Sequence, residues 1–212
     1  FTTLSEQMEA EDLSNFLNFY LTNVCDIALK YGGTIDKFIG DSVMIFFGDP
    51  DTKGAKEDAI ACCQMAMEML TFLENNQQHF QDMYNFPEKL EIRVGIHNGL
   101  CNVGNFGSAQ RLDYTAIGRA VNVAARLEQA APKNSILVSS AVRNLIKNNF
   151  ETSSPIEVKA KGIDKPIASY VLTRHDSLNV KVIKEMDGLK LEYDPHKINK
   201  SKLLQIIGEL ES

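Results

Sequence analysis

Long apolar runs, blocks of like charge and cysteines at metal-binding spacing are all missing from this 212-residue chain. Nowhere does an apolar run approach the roughly 18 residues that a membrane span needs, and no signal-peptide pattern occurs. Net charge is −6, and the basic footprint of a generic nucleic-acid binder is absent. A few placed cations could still hold a small anionic ligand. The four cysteines (Cys25, Cys62, Cys63 and Cys101) have neither zinc spacing nor the density of a secreted scaffold. They read as reduced, mostly buried thiols of a cytosolic domain. Internal repeats and low-complexity segments are lacking too.

What is present is an ordinary globular composition, 44% hydrophobic and 24% charged, with ample apolar content for a core. The length suits one domain with an appendage, or at most two small domains. The chain opens on Phe1 rather than Met, and is read as cut from something longer.

Apolar residues recur at three- and four-residue spacing from Leu13 to Tyr31, so residues 5–31 are predicted to be an amphipathic helix ended by Gly32-Gly33. Thr3-Leu4-Ser5-Glu6 fits a capping box, which places Phe1-Thr2-Thr3 at a helix N-terminus with free backbone N–H groups. Residues 34–39 and 43–47 read as strands around a tight Gly40-Asp41 turn. A polar loop and a helix over about residues 55–82 follow. Residues 90–96 alternate as a half-buried strand, and Asn98-Gly99 predicts a hairpin into a partner strand at 100–105. A strand at 112–117, a helix from about 119 to 131, a strand at 135–138, a helix at 139–148 and strands at 155–161 and 167–173 complete an α+β domain ending near Thr173. Residues 176–212 differ in pattern: a hairpin around Asp187-Gly188, then an amphipathic helix at about 199–210.

Two places carry candidate chemistry. Asp41, on a hairpin between apolar strands, is either a simple turn former or a ligand for a hard divalent cation such as Mg²⁺. One carboxylate is not a metal site, and strand alternation turns Asp36 to the wrong side to help. Asn122 and Arg126 lie four apart on one helix, so they share a face. They form either a structural pair, with Arg126 satisfying Glu128 or a backbone carbonyl, or a pair in which Arg126 neutralises phosphate charge and Asn122 orients a sugar.

The stretches "YGGTIDKFIGDSVMIFFG", "EIRVGIHNG" and "LDYTAIGRAVNVAARLE" together resemble the catalytic domain of class III nucleotidyl cyclases, in the right order and spacing, and "FTTLSE" is similar to the end of that family's first metal-binding motif. The likeness covers roughly residues 1–173. It implies a ferredoxin-like, palm-type antiparallel sheet flanked by helices, N-terminally truncated here, with 174–212 as a C-terminal hairpin and helix appendage.

By resemblance, Asp41 is the second of two metal-binding aspartates, and the first would lie just before Phe1. Phe1, Thr2 and Thr3 match the segment that cradles the β- and γ-phosphates, a role that the inferred helix N-terminus also suits. Lys37 matches the purine-reading lysine and Thr115 its partner; Asn122 matches the ribose-orienting asparagine and Arg126 the transition-state arginine. Lys161 matches a lysine on the triphosphate, although by itself it reads as a solvated strand-end residue. Two Mg²⁺ or Mn²⁺ ions per site are implied.

Lysine has only donors, which suits N1 of adenine and opposes the N1–H of guanine. Thr115 can accept from the adenine amine, but a hydroxyl can also donate, so some GTP use stays open. Lys with Thr resembles the class IIIb adenylate cyclases, many of which carry Asp where this chain has Arg119. The resemblance thus implies ATP conversion to 3′,5′-cyclic AMP and pyrophosphate in a head-to-tail homodimer with two shared sites. It implies a cytoplasmic catalytic domain, a parent protein with regulatory domains and room for a membrane anchor. His97 is expected to pack or hydrogen-bond on its strand, and His79, His175 and His196 to lie at the surface. The rivals are a diguanylate cyclase, whose Gly-Gly-Asp/Glu-Glu-Phe hairpin is absent, a guanylate cyclase, and a nucleotide-binding or dimerisation module without turnover.

Overall fold

Apolar spacing makes Ala10–Lys30 a helix (α1), which buries Phe16, Tyr20, Val24, Ile27 and Ala28. A computed structural model of the chain describes residues 8–84, 89–158, 166–173, 182–186 and 189–193, the last two stretches as strands only. Helix α1 starts later than residue 5, with Glu9 at its N-cap and no side-chain capping bond. The expected capping box at Thr3–Glu6 lies outside the described residues.

Strands β1 (Thr34–Ile39) and β2 (Ser42–Phe46) form the expected hairpin, and helix α2 runs over Ala55–Tyr84. The first large core joins α1 to α2 through Phe16, Tyr20, Met69, Leu73 and Phe80, with Ile35, Val43 and Ile45 of the hairpin packed against it. Phe16 and Phe80 meet edge to face, ring centroids 5.7 Å apart. His79, expected at the surface, is half-buried against Phe19 at 4.9 Å.

The Asn98-Gly99 hairpin does not form. Strand β3 (Arg93–Ile96) instead pairs in parallel with β6 (Ser135–Ser139), from Arg93↔Ser135 to Ile96↔Val138. Strand β4 (Asn102–Ser108) turns back on β5 (Arg111–Ile117) in a hairpin of its own. The reason is burial. The run Ile136-Leu137-Val138 is almost fully buried, and a parallel partner needs a long crossover. That crossover consists of the β4–β5 hairpin and helix α3 (Arg119–Ala130).

The sheet continues from β6 to β9 (Ile167–Thr173), which also pairs β7 (Glu151–Thr152) and β8 (Ile156–Val158), all antiparallel. The two-residue β7 has no apolar pattern to announce it. Helix α4 (Ser140–Ile146) begins at Ser139, whose hydroxyl accepts from the Val142 N–H. A second core (Cys63, Ala66, Ile96, Ile136, Val138, Val142, Ile146) joins α2 and α4 to this sheet.

The chain divides into two compact units, Phe1–Arg174 and His175–Ser212. In the second, β10 (Val182–Met186) and β11 (Leu189–Tyr193) pair antiparallel; the predicted 187–188 turn and 199–210 helix lie outside the described residues. Among the described residues, no helix is long and apolar enough to cross a membrane. All four cysteines are unpaired; Cys63 is buried, Cys25 and Cys62 are half-buried, and Cys101 departs from expectation by being exposed. Burial pushes the Cys62 thiol up to about 12.

Candidate functional site

The β1–β2 turn is made by Gly40 and Asp41. Gly40 adopts φ +63°, a left-handed conformation that glycine takes without strain. Asp41 follows it, exposed at the tip. Its charge reaches the phenol of Tyr20, which is pushed up to about 12, chiefly by burial and then by Asp41.

Five residues before Asp41, the register breaks between Ile35 and Lys37, leaving Asp36 as the bulged residue. A bulge re-aims the side chain that it carries. The Asp36 carboxylate is fully buried and meets the facing hairpin. The Thr115 hydroxyl donates to Asp36 Oδ1 at 2.8 Å and Oδ2 at 2.9 Å, and the Ala116 N–H donates to Oδ2 at 2.8 Å. The Lys37 ammonium donates to Thr115 Oγ1 at 2.7 Å and lies 3.2 Å from Asp36 Oδ1. Lys37, Thr115 and Asp36 thus form a closed triangle between β1 and β5, with Lys37 as its exposed corner.

Asn122 and Arg126 project from α3, one exposed and one half-buried. Arg126 Nη1 donates to Gln129 Oε1 at 2.9 Å, not to Glu128 or a backbone carbonyl. That bond is local and exposed, so it costs little to exchange for another acceptor. The helix is pressed onto β3 at Gly95, where a Cβ atom would lie 2.2 Å from the Glu128 nitrogen and 2.4 Å from the Ala124 oxygen. Arg93 of β3 clamps the same turn, donating to the Gln129 carbonyl at 3.3 Å and lying 3.5 Å from Glu128.

Phe1, Thr2, Thr3 and Lys161 lie outside the described residues. Asp41 offers one hard oxygen ligand of the kind Mg²⁺ or Mn²⁺ takes. Among the described residues no group of three metal-ligating side chains occurs, so they do not by themselves make up a metal site around Asp41. His97 Nδ1 lies 2.9 Å from Ser139 Oγ, as expected of a packed strand residue. Its pKa is lowered, first by burial and then by the Arg119 guanidinium. Arg119 therefore acts on the local charge at the end of β3.

Sequence reasoning missed two residues here. One is Asp36; its only signal was adjacency to Lys37. The other is Tyr114, whose hydroxyl donates to Asp49 and ties β5 to the loop after β2.

A family model described as the adenylate and guanylate cyclase catalytic domain matches residues 1–174. An adenylate cyclase of Anabaena cylindrica is 35% identical over 175 residues, covering 80% of this chain and 34% of that protein. Adenylate cyclase 1 of Rhizobium meliloti is 35% identical over 167 residues, covering 76% of this chain and 24% of that protein. The chain spans about a third or less of these curated relatives. Among solved structures, the adenylyl cyclase CyaB from P. aeruginosa superposes with a TM-score of 0.78 at 46% identity, covering 81% of this chain and 87% of that one. The guanylyl cyclase Cya2 gives 0.75 at 29% identity, covering 81% and 85%.

Proposed function

The chain belongs to the adenylate and guanylate cyclase catalytic-domain family, and from that premise we propose that it is an adenylate cyclase, converting ATP to 3′,5′-cyclic AMP and pyrophosphate. The observation that carries the choice of ATP is the Lys37–Thr115 contact at 2.7 Å. It presents a donor beside an acceptor, the complement of adenine N1 and the exocyclic amine.

In this reading Lys37 donates to N1 and Thr115 accepts from the amine, which fixes the base. Asn122 orients the ribose so that its 3′-oxygen lies in line with the α-phosphorus. That oxygen forms the new P–O bond, its proton passes to solvent, and the bond to the pyrophosphate oxygen breaks. Arg126 exchanges Gln129 for the α-phosphate and stabilises the charge that builds on it. Phe1, Thr2 and Thr3, with Lys161, hold the leaving pyrophosphate. Asp41 would hold a divalent cation, Mg²⁺ or Mn²⁺ and two per site, which when bound offsets phosphate charge and acidifies the 3′-hydroxyl.

Asp41 and Lys37 serve different sites of a head-to-tail homodimer. Support for that assembly comes from the two hairpins, where Phe38, Ile39, Phe106, Leu112, Tyr114 and Ile117 are exposed. Regulatory domains in a longer parent protein complete the proposal.

The test is an assay of the protein with ATP and with GTP in Mn²⁺, the product identified by mass. Cyclic AMP from ATP at higher kcat/KM is expected. Cyclic GTP-derived product in excess would make it a guanylate cyclase, and nucleotide binding without product would make it a binding module.

A further inference from the structure

We propose that Asp36 sets the choice between ATP and GTP, by fixing which way the Thr115 hydroxyl points its single proton. The inference rests on the adenylate cyclase reading above and removes an ambiguity that threonine leaves in it. A free threonine hydroxyl donates or accepts at will, so it rejects neither an amine nor a carbonyl at position 6 of a purine.

Here the hydroxyl is not free. A lysine ammonium has no lone pair to offer, so in the 2.7 Å contact Thr115 Oγ1 must accept from Lys37. A carboxylate has no proton to give, so in the contacts at 2.8 and 2.9 Å Thr115 must donate to Asp36. The one proton is therefore committed to Asp36, shared between its two oxygens. What remains is a single lone pair, which takes the N6–H of adenine and opposes the O6 of guanine in the same orientation.

Asp36 also draws Lys37 to 3.2 Å. Of the three ammonium protons, one faces Thr115, one faces Asp36 and one is left for N1. The fixed point of this arrangement is independent of the ligand: the Ala116 N–H holds Asp36 Oδ2 at 2.8 Å, and the side chain is fully buried. Asp36 touches no nucleotide in this scheme. It is a positioning residue, acting on specificity through Thr115.

The test measures Kd for ATP and for GTP in Mn²⁺, by displacement of a fluorescent ATP analogue from the intact protein. Asp36→Asn keeps an acceptor for Ala116 but releases the Thr115 proton. It should narrow the ATP-to-GTP preference about tenfold or more, since specificity is a difference between the two affinities. In a Thr115→Val background the same change should leave the ratio unaltered, an outcome that a merely structural role does not produce. A wild-type preference for ATP that Asp36→Asn leaves within about twofold overturns the inference while the adenylate cyclase reading stands. A wild-type preference for GTP overturns that reading and takes the inference with it. Should Asp36→Asn not fold, wild-type protein is offered 6-methoxypurine riboside triphosphate, which keeps the acceptor N1 of adenine but places an acceptor oxygen at position 6. Rejection supports the inference; binding within about twofold of ATP overturns it.

Discussion

The Lys37 ammonium lies 2.7 Å from the Thr115 hydroxyl, although 78 residues separate the two in sequence. Each sits on its own hairpin, Lys37 on β1 and Thr115 on β5, and Asp36 joins the hairpins behind them. The contact is thus maintained by a buried carboxylate rather than by the two residues that would meet the base.

Removing the Thr115 hydroxyl should destabilise the fold as well as the site. Thr115→Val is close in shape but withdraws one donor from the buried Asp36. A stability loss of roughly 1–3 kcal/mol is expected, the usual cost of an unmet buried polar group. Denaturant unfolding checks this; an unchanged midpoint would mean that Ala116 and Lys37 alone satisfy Asp36.

Arg126→Ala should retain ATP binding and lose turnover, by roughly 10²–10³-fold, the range seen when one transition-state donor is removed. Because its bond to Gln129 is exposed, stability should change by less than about 0.5 kcal/mol. Cyclic AMP formation at the wild-type rate would sink the proposed role.

Gly95→Ala tests how closely α3 must approach β3. The added methyl would sit 2.2 Å from a backbone nitrogen and 2.4 Å from a backbone oxygen, neither of which can rotate away. Overpacking of this kind costs about 1–3 kcal/mol or more, and it moves Asn122 and Arg126 together. We expect lower thermal stability and reduced kcat, measured on the same preparation. A stable, fully active variant would show that the helix can shift freely.

His97 provides the pH test. Burial and Arg119 lower its pKa below 6.5, so the folded state binds a proton less readily than the unfolded one. Its contribution to stability is therefore present above pH 6.5 and is lost as pH falls below it. Arg119→Ala should raise the His97 pKa but leave it below 6.5, because burial is the larger cause. An NMR titration of the ring reads this directly, and an unmoved value would remove Arg119 as a cause.

Periodicity alone placed α1, α2 and α3, the β1–β2 hairpin, β6 and the β10–β11 hairpin, because each carries its apolar pattern locally. It erred where the partner was remote. Asn98-Gly99 is a good turn signal, yet no turn formed there, since β3 gained more from the apolar β6 than from the chain just beyond it. Alternation set Asp36 aside as a metal ligand but gave no sign of its contact with Thr115, because that contact is set by the packing of β1 on β5.

The sequence by itself determined the family, the spacing of Lys37, Asp41, Thr115, Asn122 and Arg126, and the residue types suited to a nucleotide. Tertiary structure alone decided how Lys37 and Thr115 are polarised. Hydrogen-bond direction depends on which third group is within reach. Here that group is Asp36, brought to Thr115 by the packing of two hairpins far apart in the chain.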